Sequence, residues 1–331
     1  MAVVAPADQA KVAAEAKFQR ALAYFELIKF FGEKPYFAGN ASTLKGVPLV
    51  TVPGPPNRPQ DPAYLIPRAT VEAVYQQIIT DLTQAEADLP AKNGFYANKP
   101  SASLALARVY LQQDKFAEAR DAAHRCITVA EANGFALVSN YSNAFNNSTN
   151  TTEDLFAMQV TDQAGTNSNF TFFSTDTYGA RDGDIEVTGA HYSKYSANDT
   201  RRNLFFFEYG EWRVGKWRDI YKNVKVMRLA EAYLTRAECN RRLGTTTGAT
   251  PEADLHKTRG RAGLPLLVAP TLQQILDERE LELAFEGQGL WDAKRLRLTV
   301  DGNAWNSDKM TFPIPLRERN VNPDLAQNPG Y

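Results

Sequence analysis

The sequence is poor in cysteine, in histidine and in net charge of either sign. Its 331 residues include two cysteines and three histidines, and the formal net charge is −1 at pH 7. Cys126 and Cys239 lie in helix-like runs as small apolar fillers, and no CxxC or HExxH spacing predicts a metal site. A balanced charge also argues against a nucleic-acid partner or an anionic membrane surface. We therefore expect neither a metal nor a cofactor.

Long apolar runs and a secretory leader are also missing. No apolar run reaches the roughly 18 residues that are needed to cross a bilayer. The opening residues, MAVVAPADQAKVAAEAKFQR, contain no basic segment followed by an apolar one, so they do not predict a signal peptide. An amphipathic helix begins almost at once. This abrupt start leads us to expect a trimmed sequence or a shortened gene.

Helical periodicity is present on both sides of an irregular middle section. Hydrophobic residues at 44% and aromatic residues at 11% are enough for a sizeable core. Phe18, Leu22, Phe25 and Ile28 form one apolar helical stripe. Residues 36–69 are rich in proline and glycine and predict an irregular crossing. The predicted helices cover residues 7–31, 70–89, 101–113, 116–132, 224–243 and 271–285, and two of them begin at a threonine N-cap, Thr70 or Thr271.

The helices predicted at 101–113 and 116–132 have the features of a tetratricopeptide (TPR) helical hairpin. A short polar turn joins them, and small residues would let them approach closely: Ala105, Ala107, Ala119 and Ala122. An ordinary bundle of Ala-rich helices is the alternative. We predict a mainly α fold of such hairpins in a single domain, with helices in 1–134, an irregular section in 135–221, and helices with an extended end in 222–331.

The irregular section predicts loops and short strands, and loops of this length usually carry function. Its LFFFEY stretch is typical of a strand with alternate rings buried. Flat rings beside amides and carboxylates suit stacking against sugar rings, with hydrogen bonds to the hydroxyl groups. Burial against the helical scaffold is the alternative for each ring. The predicted ligand-binding residues are Tyr178, Tyr192, Tyr195, Tyr209, Trp212 and Trp217.

The acidic stretch DERELELAFEG offers carboxylates for a catalytic site. A glycoside hydrolase needs two carboxylates beside a cleft, and Glu278, Glu282 and Glu286 repeat at i, i+4. We favour a charged helix face with ion pairs about three residues apart, and keep a hydrolase acting through Glu282 as the weaker hypothesis. Arg201 follows Asp199 and fits a local ion-pair clamp.

Three segments, in order along the chain, resemble the SusD/RagB-like family of nutrient-binding lipoproteins. EAKFQRALAYFELIKFFGEKP resembles the family's RAxxYFxLxxxFGxxP helix, and ILDERELELAFEGQGLWDAKR is similar to its ERxxExxxEGxxxxDxxR helix. The second pattern is carried by Glu278, Arg279, Glu282, Glu286, Gly287, Asp292 and Arg295. The ending FPIPLRERNVNPDLAQNPGY is similar to the family's PIP and NPxLxQNPGY motifs. The resemblance covers essentially the whole chain.

The resemblance implies a SusD-like, α-superhelical scaffold of TPR hairpins with an irregular ligand-binding face. It also implies a non-catalytic lipoprotein on the outer face of the outer membrane of Bacteroidota. Such proteins bind oligosaccharides, or peptides in some members, and deliver them to a TonB-dependent SusC-like transporter. The family's signal peptide, lipidated cysteine and N-terminal residues do not match anything here, so we expect part of the scaffold and of the ligand site to be missing.

The chain's ending also has a structural interpretation. Its prolines predict an extended path, and Leu325 and Tyr331 can anchor that path on the helices. Asn322, Gln327 and Asn328 can satisfy backbone groups that the prolines leave unpaired. We therefore predict a structural clasp at the end of the fold, and place ligand binding in the aromatic loops.

Overall fold

The computed structural model describes residues 3–52 and 65–331, and within them the protein is mainly α. The helices are α1 Gln9–Phe31, α2 Val71–Asp88, α3 Lys99–Leu111, α4 Phe116–Ala132, α5 Ser168–Phe173, α6 Gly189–Tyr192, α7 Leu229–Leu243, α8 Pro251–Arg261, α9 Leu272–Glu282, α10 Gly289–Arg295 and α11 Leu316–Val321. The strands are β1 Lys45–Pro48, β2 Arg68–Thr70, β3 Asp154–Met158, β4 Phe205–Glu208, β5 Glu211–Val214 and β6 Val224–Arg228. The predicted mainly α class is confirmed. No helix among the described residues is long and apolar enough to cross a membrane.

The chain forms two compact units. Unit 1 contains Met1–Asp88, Arg108–Lys115 and Leu290–Tyr331, and unit 2 contains Leu89–Ala107 and Phe116–Gly289. In unit 1, α1 packs against α2, and β1 pairs antiparallel with β2. The buried residues between the two helices include Phe18, Phe25 and Ile28 from α1 and Val74, Ile78 and Leu82 from α2.

The end of the chain is held in unit 1 by side-chain amides. Asn328 Nδ2 donates to Phe31 O at 3.0 Å and to Phe312 O at 2.8 Å. Its Oδ1 accepts a hydrogen bond of 2.8 Å from Arg68 Nη2. One asparagine therefore joins the end of α1, the strand β2 and the C-terminal segment.

The other predicted anchors of this segment make similar contacts. Gln327 accepts from Ile314 N at 2.7 Å and donates to Ile314 O at 3.1 Å. Asn322 and Tyr331 each donate to a backbone carbonyl, at 3.0 and 2.8 Å, and Leu325 is buried. The predicted contacts of the clasp are present, because each named side chain either satisfies backbone groups or is buried. The predicted extended path is wrong in part, since Leu316–Val321 forms α11, with Pro315 at its N-cap, where the missing N–H of proline interrupts no helical hydrogen bond.

Helix α7 is the centre of unit 2. Its residues 229–240 are all buried, and it packs against α4, α8 and α9. Leu234 and Ala237 of α7 form an apolar cluster with Leu255 of α8 and Ile275 of α9. Strand β3 pairs antiparallel with β6, and β4 with β5.

Most predicted helices are confirmed to within a few residues at each end. Thr70 Oγ1 accepts from Ala73 N at 3.1 Å, and Thr271 Oγ1 accepts from Gln274 N at 3.2 Å, so both predicted N-caps are present. The four alanines predicted for the hairpin are buried: Ala105, Ala107, Ala119 and Ala122. Residues 53–64 of the predicted irregular crossing lie outside the described residues.

The helix predicted at 224–243 begins five residues too early. Val224–Arg228 is a strand, β6, and its partner is Asp154–Met158. Lys225 and Met227 are buried while Val224 and Val226 are half-buried, a period of two that fits a strand. β-Branched residues favour this conformation, so the helix starts only at Leu229.

Candidate functional site

The β4–β5 hairpin belongs to the aromatic section of unit 2. The strands pair in register, so that only Tyr209 and Gly210 form the turn. Both residues have positive φ, 54° and 77°, as a two-residue turn of the primed type requires. The predicted strand at LFFFEY is confirmed, but its predicted alternation is wrong: Phe205 and Phe206 are both half-buried and Phe207 is exposed. One end of the ribbon packs on a core, because Val214 of β5 is buried in a cluster with Val187 and Trp217, against which Phe205 also packs.

Two of the predicted rings are exposed beside this turn, Tyr178 by 38% and Tyr209 by 56%. Tyr209 Oη donates to Asp176 Oδ1, and this hydrogen bond raises the pKa of Tyr209 to about 12. The Tyr178 ring meets the Phe206 ring edge to face, with 5.3 Å between centroids. The Arg218 guanidinium stands over both of these rings, at 5.3 and 5.2 Å. We call these five residues the hairpin surface.

Trp212 of β5 stacks on Tyr192 of α6. Their ring centroids are 3.6 Å apart with 17° between planes, and both side chains are half-buried. Arg202 lies over the Tyr192 ring at 4.7 Å and donates to its hydroxyl oxygen at 2.7 Å. The Phe207 ring meets Trp212 at 5.3 Å. Protein groups therefore cover much of the stacking area of these two rings.

Tyr195 and Trp217 are buried, at 3% and 2% exposure. Tyr195 Oη donates to Leu281 O at 3.0 Å, and Trp217 Nε1 donates to Phe285 O at 3.3 Å. Leu281 O lies in the last turn of α9, where helix carbonyls have no backbone donor, and Phe285 O lies three residues beyond the helix. The structure gives these two residues an anchoring role in place of the predicted ligand contact, because neither ring presents a face to solvent.

The three glutamates of the α9 region are buried, so the predicted charged helix face is wrong. Glu278 and Glu282 are 2% and 0% exposed, and the Glu286 side chain is 7% exposed. Their partners come from far along the chain. Arg201 Nη1 lies 2.7 Å from Glu278 Oε1, and Arg228 Nε lies 2.7 Å from Glu286 Oε2. Such partners are required because a buried, unpaired carboxylate costs several kcal/mol.

Glu282 lies at the centre of this ionic cluster. Arg261 Nη2 approaches its Oε1 at 2.5 Å, and Arg228 Nη1 at 3.0 Å. Burial alone would raise the pKa of Glu282, but Arg261, Arg228 and Arg201 together lower it to about 2. Arg201 also binds Asp199 at 2.8 Å, which confirms the predicted local clamp.

Lys216, two residues after β5, belongs to the same cluster. It is 2% exposed, and its Nζ donates to Ala284 O and to Glu286 Oε1, both at 2.7 Å. Burial lowers the pKa of Lys216 to about 8. We call the whole cluster the α9 base, which consists of Glu278, Glu282, Glu286, Arg201, Lys216, Arg228 and Arg261.

Three members of the hairpin surface were missed in the sequence: Asp176, Phe206 and Arg218. The Tyr-Gly pair between two aromatic runs is a turn signal that identifies the hairpin tip. Nothing in the local pattern marks Asp176, since its contact with Tyr209 joins residues 33 positions apart.

Chemically, the hairpin surface combines two exposed tyrosines with a carboxylate and a guanidinium. Aromatic faces pack against apolar faces of a ligand, and the charged groups form strong hydrogen bonds with its polar groups. Among the described residues, no group of three or more His, Cys, Asp or Glu side chains is arranged to hold a metal ion. The arrangement suits recognition of a ligand with both apolar faces and hydroxyl groups.

Comparison with known proteins gives the family. Residues 136–311 match the SusD family, and residues 4–111 match a family described as starch-binding and associating with the outer membrane. The chain is 25% identical to SusD-like protein P2 of Formosa agariphila, with 97% of this chain and 74% of that protein covered. It is 32% identical to the starch-binding protein SusD of Bacteroides thetaiotaomicron, over 33% of this chain and 22% of that protein.

The fold agrees with this assignment. The crystal structure of a proposed sugar-binding protein from Bacteroides vulgatus superposes with a TM-score of 0.86 at 27% identity, covering 99% of this chain and 80% of that one. The first family match spans more than half of the sequence, including both the hairpin surface and the α9 base. The chain belongs to the SusD family.

Proposed function

We propose that the protein binds an oligosaccharide on the hairpin surface. The observation that carries this proposal is Tyr209, a tyrosine with a φ of 54° at the hairpin turn and with 56% of its surface exposed. A non-glycine residue in this conformation costs on the order of 1 kcal/mol or more, and such strain clusters at functional sites. An exposed ring returns little of that free energy through burial, so a ligand contact is the best explanation for a tyrosine at this position.

The neighbouring groups suit a sugar. The rings of Tyr178 and Tyr209 can pack against the C–H faces of sugar rings. Asp176 can accept hydrogen bonds from hydroxyl groups, and Arg218 can donate them. The relatives named for starch and for sugar binding support this ligand class.

The protein acts by binding and not by hydrolysis. A glycoside hydrolase needs a general acid whose pKa is raised and which reaches the scissile bond. Glu282, the candidate from the sequence, is fully buried, and its pKa is lowered to about 2. Arg261 and Arg228 occupy the space around its carboxylate, so a sugar has no access to it.

Delivery completes the proposed function. The bound oligosaccharide passes to a TonB-dependent SusC-like transporter at the outer membrane, where the protein lies on the cell surface. The description of the family matched by residues 4–111, which names association with the outer membrane, supports this location. Purification of the natural protein from its own membranes checks the partnership, since we expect a SusC-like barrel to co-purify. Repeated recovery without a barrel would contradict delivery.

A glycan array followed by isothermal titration tests the ligand site. We expect Tyr178→Ala and Tyr209→Ala each to weaken binding of the best array glycan by about tenfold or more, as loss of a central aromatic contact does. The matched control is Tyr96→Ala, which removes a 66% exposed tyrosine of unit 2 outside the hairpin surface. Its affinity should equal that of the wild type.

Two results would overturn the proposal in different ways. If the glycan binds all three variants equally, the hairpin surface is not the site. If the array is negative while a peptide library yields ligands whose binding depends on Tyr178 and Tyr209, the protein is a peptide-binding member of the family.

A further inference from the structure

Side chains from other segments donate to several carbonyl groups at and just after the C-terminal end of α9. A helix end leaves its last carbonyls without backbone donors, and the partial negative charge there favours cations. Glu282 O accepts from Tyr141 Oη at 2.7 Å and from Arg228 Nη2 at 3.1 Å. Ala284 O, just beyond the helix, accepts from Lys216 Nζ at 2.7 Å.

Further donors to this helix end come from the two ends of the aromatic segment. Tyr195 Oη bonds Leu281 O, and Trp217 Nε1 bonds Phe285 O. The Phe285 ring also packs against Phe205, the first residue of β4, with 6.1 Å between centroids. The chain around the hairpin therefore contacts residues 281–285 at three points. These are Tyr195 before β4, Phe205 at the start of β4, and Trp217 after β5.

The ionic contacts repeat this pattern. Arg201 lies four residues before β4 and binds Glu278 at 2.7 Å, and Lys216 lies two residues after β5 and binds Glu286 at 2.7 Å. All four side chains are buried or nearly so. The hairpin thus lies between two buried charge contacts to the α9 region, at Arg201 and at Lys216.

We propose that the α9 base positions the hairpin surface for ligand binding, and that Lys216 is its principal positioning residue. The part of this inference that concerns ligand affinity rests on the proposed function. Lys216 touches no residue of the hairpin surface in the contacts above, so it acts through the strand β5 and not through the ligand. Arg218, which stands over Tyr178 and Phe206, follows it by two residues.

Lys216 is the clearest member to test, because one atom makes the contact. Its Nζ donates to Ala284 O and Glu286 Oε1, and it lies 4.6 Å from the centroid of the Phe145 ring. Lys216→Met retains the length and the apolar stem of the side chain and removes the charge and its donors. The end of β5 then loses its charged contact with Ala284 and Glu286, which follow α9.

The experiment measures amide hydrogen exchange of residues 203–215 together with glycan affinity, for the full chain at pH 7. We expect Lys216→Met to speed exchange in 203–215 by about tenfold or more, the scale of one lost charge-assisted hydrogen bond. Glycan affinity should fall by a similar factor. The matched control is Lys225→Met, which removes another fully buried lysine of unit 2, paired with Asp154 on the β3–β6 ladder. That variant should leave exchange in 203–215 unchanged.

Circular dichroism and the melting temperature confirm that each variant is folded. If Lys216→Met does not fold, Trp217→Phe is the second variant, because it retains an aromatic ring and removes the indole donor to Phe285 O along with part of the ring's packing. Unchanged exchange of 203–215 in the folded variant overturns the positioning role, whatever the glycan result. Faster exchange in a protein whose wild type binds no glycan supports positioning and overturns the proposed function instead.

Discussion

The α9 base and the turn of the hairpin place their polar groups in opposite ways. At the base, Glu282 is fully buried and meets two arginines, and the carbonyl groups nearby accept from tyrosine, lysine and tryptophan side chains. At the turn, Tyr209 is exposed and has a φ of 54°, a conformation that costs free energy for any residue except glycine. The first region satisfies its polar groups in the buried interior, and the second leaves a strained tyrosine ring exposed, although its hydroxyl group donates to Asp176.

The difference separates residues that hold the fold from residues that are available to a ligand. Among the six predicted aromatic residues, Tyr195 and Trp217 contact the α9 region and are buried. Tyr178 and Tyr209 lie at the hairpin turn and are exposed. Changes at the base should therefore alter stability, with effects on binding only through position. Changes at the turn should alter binding, with a small or favourable effect on stability.

The largest expected effect is loss of the central carboxylate in Glu282→Gln. Because Arg228 and Arg261 would remain buried with one fewer counter-charge, we expect the free energy of unfolding to fall by about 3–5 kcal/mol. Urea denaturation measures this. Glu280→Gln is the control, since Glu280 lies on the same helix with its side chain 44% exposed, and a surface pair is worth about 1 kcal/mol or less. Equal losses in the two variants would contradict the difference between buried and exposed charge.

The stability that Glu282 contributes should depend on pH. Its pKa is lowered from 4.5 to about 2 in the folded protein, so its contribution is fully present above pH 4.5 and is lost as the pH falls toward 2. The gap in unfolding free energy between wild type and Glu282→Gln should shrink by on the order of 3 kcal/mol across this window. Denaturation series at several acidic pH values check this. A gap that stays constant would show that hydrogen-bond geometry, and not charge, stabilises the base.

The clasp of unit 1 provides a neutral counterpart to the charged base. Asn328→Ala removes donors to Phe31 O and Phe312 O and an acceptor for Arg68, so we expect the free energy of unfolding to fall by about 2 kcal/mol. Since an amide does not titrate, the loss should be the same at pH 4.5 and pH 3. Thermal or urea unfolding at the two pH values measures it. A pH-dependent loss would mean that Asn328 also acts through a nearby carboxylate, because neither the amide nor the Arg68 guanidinium changes charge between these pH values.

The smallest expected effect is a gain in stability at the turn. Asparagine tolerates positive φ better than tyrosine, so Tyr209→Asn should raise the free energy of unfolding by up to roughly 1 kcal/mol. The same variant should lose glycan affinity, because the ring is gone. Thermal denaturation and isothermal titration of one preparation measure both. A less stable variant that retains its affinity would contradict both the backbone strain at Tyr209 and the role of its ring in binding.

Much of the fold could be predicted from local pattern. The stripe of α1, the threonine N-caps and the amide contacts of the clasp all follow from spacing or from residue type. The strand at 224–228 could not be separated from the helix that follows, because its apolar residues also fit a helical period and only pairing with β3 distinguishes them. The predicted charged face of α9 was wrong for a related reason: a glutamate repeat looks the same whether its partners are water or arginines from elsewhere.

The sequence by itself determined the mainly α class, the family resemblance, the clasp and the presence of aromatic rings in the section between the helices. Tertiary structure alone decided which rings are anchors and which are exposed, and that Glu282 is buried. The physical reason is the range of the contacts. Periodicity reports which face of an element is apolar, whereas Arg201 meets Glu278 across 77 residues and Arg228 meets Glu282 across 54. Such pairs form only when packing brings the segments together, and the local sequence of either segment does not predict which distant residue will be its partner.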